Sequence, residues 1–373
     1  MKLSLPELKT LVASYVASNK ISVDTYTITR DNIVGLVDKI AKIFTLDTSY
    51  ADKLAIFDGE SFSFAKDIEE WQQDLILPSD YDDDGSEALS PAYPTYRPPF
   101  YSKSLGRKTF KTSIPNNNVE RAVHFVEQFE SIVAMESKRL FDSEAVWRYG
   151  QKREILAKMV AEIDELYGTT KTFTASTKYD VGEYLRNANP GTAFGVVVKP
   201  IAVADAISSW ANAVAGGYVV VADLVSELAQ PTDSTTGEAF IEQLKKDVEI
   251  ASDVSEGHSL SGNTLGATGS LVLLVKQGIA PALDVNTLAG AFHLDKLSLP
   301  EAPMIVIKDF GSDTSGVYAM LIDSRSVRLH NSYRAVRENM NGSGDFLNLF
   351  LHTENTAHYS RNTFVKIYRP ASN

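Results

Sequence analysis

Spaced carboxylates bind hard cations, and Asp80-x-Asp82-x-Asp84-Gly85 copies the first half of a calcium loop, with glycine at the sharp turn. The second half fails, because Pro91 stands where a bidentate glutamate is needed, so the run reads as a solvated acidic hinge. Gly257-His258-Ser259-Leu260-Ser261 approaches a nucleophile elbow, in which a serine on a strand-to-helix turn meets a histidine base. Ser261 occupies the second glycine position, Ser252 to Glu256 are polar, and no HGGG-like oxyanion loop exists, so a surface loop is expected. Gly262, Gly266 and Gly269 lack the Gly-Lys-Ser/Thr ending and the G-x-G-x-x-G spacing of a phosphate cradle and read as loop flexibility. His124, His258, His293, His330, His352 and His358 show no H-x-x-x-H or HExxH spacing, and His352 and His358 are expected on either side of a strand turn. Glu69-Glu70 and Asp82–Asp84 are adjacent acids on an acidic chain and read as solvated. No catalytic, cofactor or metal residues are expected from these patterns.

A charge contrast is the stronger signal. Residues 88–119 carry Arg97, Lys103, Arg107, Lys108 and Lys111 and no acid, in a chain of formal net charge −12; removing those five cations leaves −17. Pro91, Pro94, Pro98, Pro99 and Pro115, with Tyr93, Tyr96, Phe100, Tyr101 and Phe110, favour an extended, projecting arm. Three readings compete. Bases could stack on the aromatics while cations track phosphates, as in single-strand binders, but most aromatics precede most cations. The segment could be an ordered loop. The reading favoured by charge is an intersubunit arm, because the cheapest partner for it is another copy of this acidic chain.

The elements that must carry these residues are partly legible. Ser4-Leu5-Pro6-Glu7 has capping-box spacing before Leu8, Leu11, Val12, Tyr15 and Val16, and a second stripe runs from Ile33 to Phe44. A long helix is expected from Asn117-Asn118-Val119-Glu120 through Val133, resuming from Ile155 to Tyr167, with a bend or break at Gly150. Between about 187 and 315, the apolar runs GVVV, GYVVVA, SLVLLV and PMIVI alternate with a helix at Glu238–Ala251, a mixed α/β module. Strand alternation returns in Val317–Leu329, Phe346–His352 and Thr363–Tyr368.

At 373 residues, with 44% hydrophobic and 23% charged residues, a sizeable core is possible and global disorder is not expected. Cysteine is absent, which excludes disulfides, thiolate zinc and thiol nucleophiles. No apolar run approaches the roughly 20 residues that span a bilayer, so no membrane partner is expected. The acidic balance opposes wrapping of nucleic acid by the whole surface.

The order of parts resembles a major capsid protein of tailed phages with the Hong Kong 97-type fold, most similar to those of phi-29-like podoviruses. The residues that carry the resemblance are Ile68-Glu69-Glu70, the acids before the arm, Arg97 to Tyr101, Phe125–Ser131, Ala282–Phe292, Met304–Asp309, Val317–Asp323 and the closing strands through Ser360–Tyr368. The resemblance implies an α+β capsid fold: an N-terminal helical arm (1–54), an extended E-loop (88–115), a P-domain (55–87, 116–186 and 316–373) with a spine helix over 116–141, and an α/β A-domain (187–315). It implies a head protein that assembles with itself into pentamers and hexamers, forming an icosahedral or prolate shell around double-stranded DNA. Scaffolding protein, portal and minor head or decoration proteins are implied as partners, and packaged DNA only through non-specific proximity. Assembly is implied in the host bacterial cytoplasm, ending in the virion. The E-loop residues expected at intersubunit contacts are Tyr93, Tyr96, Arg97, Phe100, Tyr101, Lys103, Arg107, Lys108 and Lys111. The capsid proteins it most resembles can carry an immunoglobulin-like domain after the core, which this sequence, ending at Asn373, is expected to lack. Some members of the wider fold join a lysine to an asparagine between subunits; non-covalent assembly is expected here. An encapsulin-like compartment shell shares the fold and is the nearest alternative, and a single-strand nucleic-acid binder is a more distant one.

Overall fold

Apolar residues at three- and four-residue spacing drive the largest element, a helix of 44 residues, Val126–Thr169. The computed structural model describes residues 50, 52–61, 68–70, 100–101, 103–115, 126–169, 171–187, 194–261, 263–264, 270–279, 303–311, 316–344 and 346–370. The two N-terminal stripes, the acidic hinge and Ala282–Phe292 lie outside these residues.

The first described element is a 3-10 turn, Ala55–Phe57, followed by β1 (Asp58–Ser61), β2 (Glu69–Glu70), β3 (Phe100–Tyr101) and β4 (Lys103–Pro115). Helix α1 (Val126–Thr169) leads to β5 (Lys171–Thr172), β6 (Tyr184–Arg186), β7 (Phe194–Val197), the short helix α2 (Trp210–Ala215), β8 (Val219–Val221) and β9 (Val225–Glu227). Helix α3 (Ser234–Ala251) precedes β10 (Ser255–Glu256), β11 (Asn263–Thr264), β12 (Leu271–Lys276) and β13 (Met304–Ile307). The chain closes with β14 (Ala319–Asp323), β15 (Val327–Asn341), β16 (Phe346–Tyr359) and β17 (Val365–Arg369). The architecture is mixed α+β.

Two compact units divide the chain. One holds the described parts of Met1–Lys66, Lys103–Lys152 and Leu329–Ala357. Its sheet has the order β1-β15-β16-β4, with β4 antiparallel to β16 from Pro115 opposite Phe346 to Lys103 opposite Ala357. Leu54, Phe57, Ile114, Leu140, Phe141, Ala145, Leu329, Leu347, Leu349 and Leu351 are its buried apolar residues. The other unit holds the described parts of Asp67–Ser102, Arg153–Arg328 and His358–Asn373. Its five-stranded sheet, β13-β12-β14-β17-β9, joins strands from before and after position 315. Phe240 and Leu244 of α3 pack there against Leu273, Tyr318 and Tyr368. A second sheet, β5-β6-β7-β8, packs Leu185, Val197 and Val219 with Ala213 of α2.

Several expectations are corrected. Gly150 does not break the helix, since α1 is helical through it. Burial of Leu140, Phe141 and Ala145 before it, and of Ile155, Leu156, Met159, Val160 and Ile163 after it, outweighs the roughly 1 kcal/mol that an interior glycine costs. Helix α3 starts one turn earlier than expected, because Asp233 caps it by accepting the N–H of Thr236 at 2.8 Å. Val317–Leu329 is not one strand: the Asp323 carboxylate accepts the N–H of Arg325 at 2.8 Å and turns the chain between β14 and β15. No turn separates His352 from His358, which lie on the single strand β16.

Candidate subunit interface

Lys103–Pro115 of the basic segment form the extended β4, at the edge of the described sheet beside β16. Its register places Lys111 opposite Phe350, Thr109 opposite His352 and Arg107 opposite Glu354. The ammonium of Lys111 lies 5.6 Å over the Phe350 ring, which stacks on His352 at 6.0 Å. His352 Nδ1 is 2.8 Å from Thr109 Oγ1. Arg107 donates to the buried Glu354 carboxylate at 3.5 Å and lies 4.6 Å over the Tyr333 ring. Aromatics and cations therefore interleave across strands, although they do not along the sequence. Phe110 meets Trp147 of α1 edge-on at 6.1 Å. Past Glu354 the register shifts, and Gly106, at φ 73°, takes a left-handed conformation that suits glycine.

Of the nine expected contact residues, Tyr93, Tyr96 and Arg97 lie outside the described residues. Phe100 and Tyr101 form β3, opposite Glu70 and Glu69. Lys103 opens β4 opposite Ala357. Arg107, Lys108 and Lys111 are all exposed, and Arg107 also reaches Glu354 and Tyr333 of its own chain. Phe350, His352, Tyr333 and Glu354 were not legible as arm partners, since pairing with β16 is a long-range event with no local signal.

Glu70 is half-buried and not solvated as its acidic neighbourhood suggests. Its carboxylate accepts from Ser360 Oγ at 2.6 Å and Asn362 Nδ2 at 2.8 Å, with His358 Nε2 3.1 Å away. Burial pushes its pKa up, but these three partners outweigh burial and hold it below the usual carboxylate value.

The Gly257–Ser261 segment is buried through Leu260 and is not the surface loop its polarity implies. The reason is close packing: a Cβ on Gly257 would stand 2.0 Å from the Val221 carbonyl oxygen, and the Asp223 N–H donates to Gly257 O at 2.8 Å. His258 stacks on Phe364 at 5.6 Å and faces Asp223 at 3.5 Å, while Ser259 Oγ lies 3.2 Å from Ser261 Oγ. The imidazole therefore addresses a carboxylate and not the serine. Among the described residues no three carboxylate or imidazole groups converge as metal ligands would. No described helix is long and apolar enough to cross a membrane.

The model of the phi29-like phage major capsid protein family matches residues 7–190 and 261–365. The chain belongs to that family. It is a phage capsid protein, a structural shell component of the virion. No curated protein sequence matches it. Three solved chains show a similar fold. One is from the capsid structure of Staphylococcus phage Andhra, at 11% identity, covering 87% of the capsid protein and 86% of that chain, with TM-score 0.53. Another is from a structure of the head fiber and inner core protein gp22 of native bacteriophage P68, at 11% identity, covering 84% and 83%, with TM-score 0.52. A third is from the capsid structure of the Cyanophage P-SCSP1u, at 8% identity, covering 85% and 87%, with TM-score 0.50. At these identities the likeness is one of fold alone. Capsids contain many copies of such a subunit, so the capsid protein's main partner is itself.

Proposed function

We propose that this capsid protein assembles into pentamers and hexamers that close an icosahedral or prolate head of the Hong Kong 97 type around double-stranded DNA. In this reading 1–54 is the N-terminal arm and 88–115 the E-loop. The P-domain comprises 55–87, 116–186 and 316–373, with α1 as spine helix, and 187–315 is the A-domain. The observation that carries the reading is the long β4 at a sheet edge, presenting exposed Lys108 and Lys111, on a chain of net charge −12. Those cations, with Arg97, Lys103 and Arg107, whose side chain stays more than half exposed beside Glu354, would meet acidic surface on the next copy. Each exposed ion pair is worth only about 0–1 kcal/mol, so contacts form and dissociate during assembly and gain strength from repetition over the shell. Scaffolding protein, portal and minor head or decoration proteins complete the head in the host bacterial cytoplasm, and packaged DNA is met through non-specific proximity. No catalytic step is invoked: the lysines of the arm remain amines and the joints non-covalent.

Negative-stain microscopy of the chain, expressed alone and with a scaffolding partner, tests this. Uniform closed shells or capsomer rings are expected. A monodisperse monomer under every condition would overturn the reading.

A further inference from the structure

The hairpin joining β15 to β16 turns through Asn341-Gly342-Ser343-Gly344, and every residue from Asn339 to Gly344 is exposed. Asn341 Oδ1 accepts two backbone N–H groups, from Ser343 and from Gly344, each at 3.0 Å. Gly342 follows directly, the one glycine in the sequence that succeeds an asparagine. No atom lies within 4 Å of where its Cβ would stand, and without a Cβ its amide nitrogen is the least shielded nucleophile a chain can offer.

We propose that Asn341 is a site of spontaneous deamidation, with water as the only co-reactant. The Gly342 backbone nitrogen bonds to Cγ of Asn341, the Cγ–Nδ2 bond breaks, and ammonia leaves with the proton given up by the Gly342 amide. Negative charge develops on Oδ1, where the Ser343 and Gly344 N–H groups already sit at 3.0 Å, within the range that stabilises an oxyanion. Water then adds to one of the two imide carbonyls. Opening at Cγ gives aspartate. Opening at the main-chain carbonyl gives isoaspartate, which lengthens the backbone at the hairpin tip. Nothing is oxidised or reduced, and each event adds one negative charge. Because the shell repeats the subunit, its ribbon tips acquire charge with age, next to exposed Met340.

The test is timed peptide mapping, with isoaspartate detection, of the full-length chain held in warm, mildly alkaline buffer. Asn339 serves as the internal control, being exposed on the same ribbon but followed by Met340. Asn341 is expected to convert at least several-fold faster than Asn339, and Gly342→Ala to slow Asn341 several-fold without changing Asn339. The alanine is tolerated by the fold because its Cβ meets open space. Equal rates at the two asparagines, or an unaltered Asn341 rate in Gly342→Ala, would overturn the proposal. A second measurement reads charge directly: aged protein is expected to develop acidic species on anion exchange that Asn341→Gln lacks, and an identical acidic series in that variant would also overturn it.

Discussion

Buried charge decides more at single residues than the surface pairs do. Asp223 lies between His258 and Lys366, whose ammonium is almost fully buried and also donates to the Asp223 carbonyl at 3.2 Å. Burial alone would raise the Asp223 pKa, but the opposing imidazole and ammonium hold it down at about 2 against an ordinary 3.8. A depressed folded-state pKa means stability that is present above about pH 4 and lost as pH falls toward about 2. Half of the Asp223 side chain is exposed, so solvent screening leaves no more than about 1 kcal/mol of this. Chemical denaturation between pH 4 and pH 2 should show a shallower loss of stability in Asp223→Asn than in the parent. Gly150 makes the opposite case, since nothing lies within 4 Å of its absent Cβ. Gly150→Ala should stabilise the chain by about 0.5–1 kcal/mol in urea titration, and a loss would mean that the helix needs its freedom there.

At the scale of elements, ion pairs link α1 to strands and loops that follow it far along the chain. Arg334 of β15 donates to the buried Glu144 carboxylate at 2.9 Å and 2.6 Å and lies 5.1 Å over Phe141. Further along α1, Arg153 pairs with Asp309, Glu162 with Arg361, and Asp164 with Arg369. Glu162 also accepts from the Tyr359 hydroxyl at 2.6 Å, and burial, reinforced by that carboxylate, pushes the phenol well above its ordinary range. Leaving Glu144 buried without its guanidinium should cost about 3 kcal/mol in Arg334→Met, measured by thermal melting. The double variant Glu144→Leu with Arg334→Met should recover most of that loss, because an apolar pair carries no desolvation penalty.

For the whole molecule, the proposed assembly rests on contrast between one basic strand and an acidic remainder. Reversing two exposed charges in Lys108→Glu with Lys111→Glu should leave the melting temperature of the unassembled chain nearly unchanged. It should sharply reduce the yield of closed shells seen by sedimentation. Added salt should weaken assembly of the parent chain more than that of the variant, since exposed pairs are screened over about 10 Å at 0.1 M. A variant that assembles like the parent at low salt would remove the arm's cations from the interface.

Local physics determined much of this protein from its sequence alone. Apolar runs became β7, β8, β12, β13 and β17 close to where they were expected, because a short run of β-branched residues with turn residues at its ends has few other solutions. The long helix was legible from its apolar spacing at three and four residues, though not its continuity through Gly150. Three things were decided only by the tertiary structure. Arg107 is braced by Glu354 and Tyr333, Glu70 is drawn out of water by Ser360, Asn362 and His358, and the polar Gly257–Ser261 segment is buried against β8 and Phe364. In each case the partners lie far apart in sequence. For Glu70 and the Gly257–Ser261 segment the contribution depends on desolvation, which exists only once the chain has closed around them.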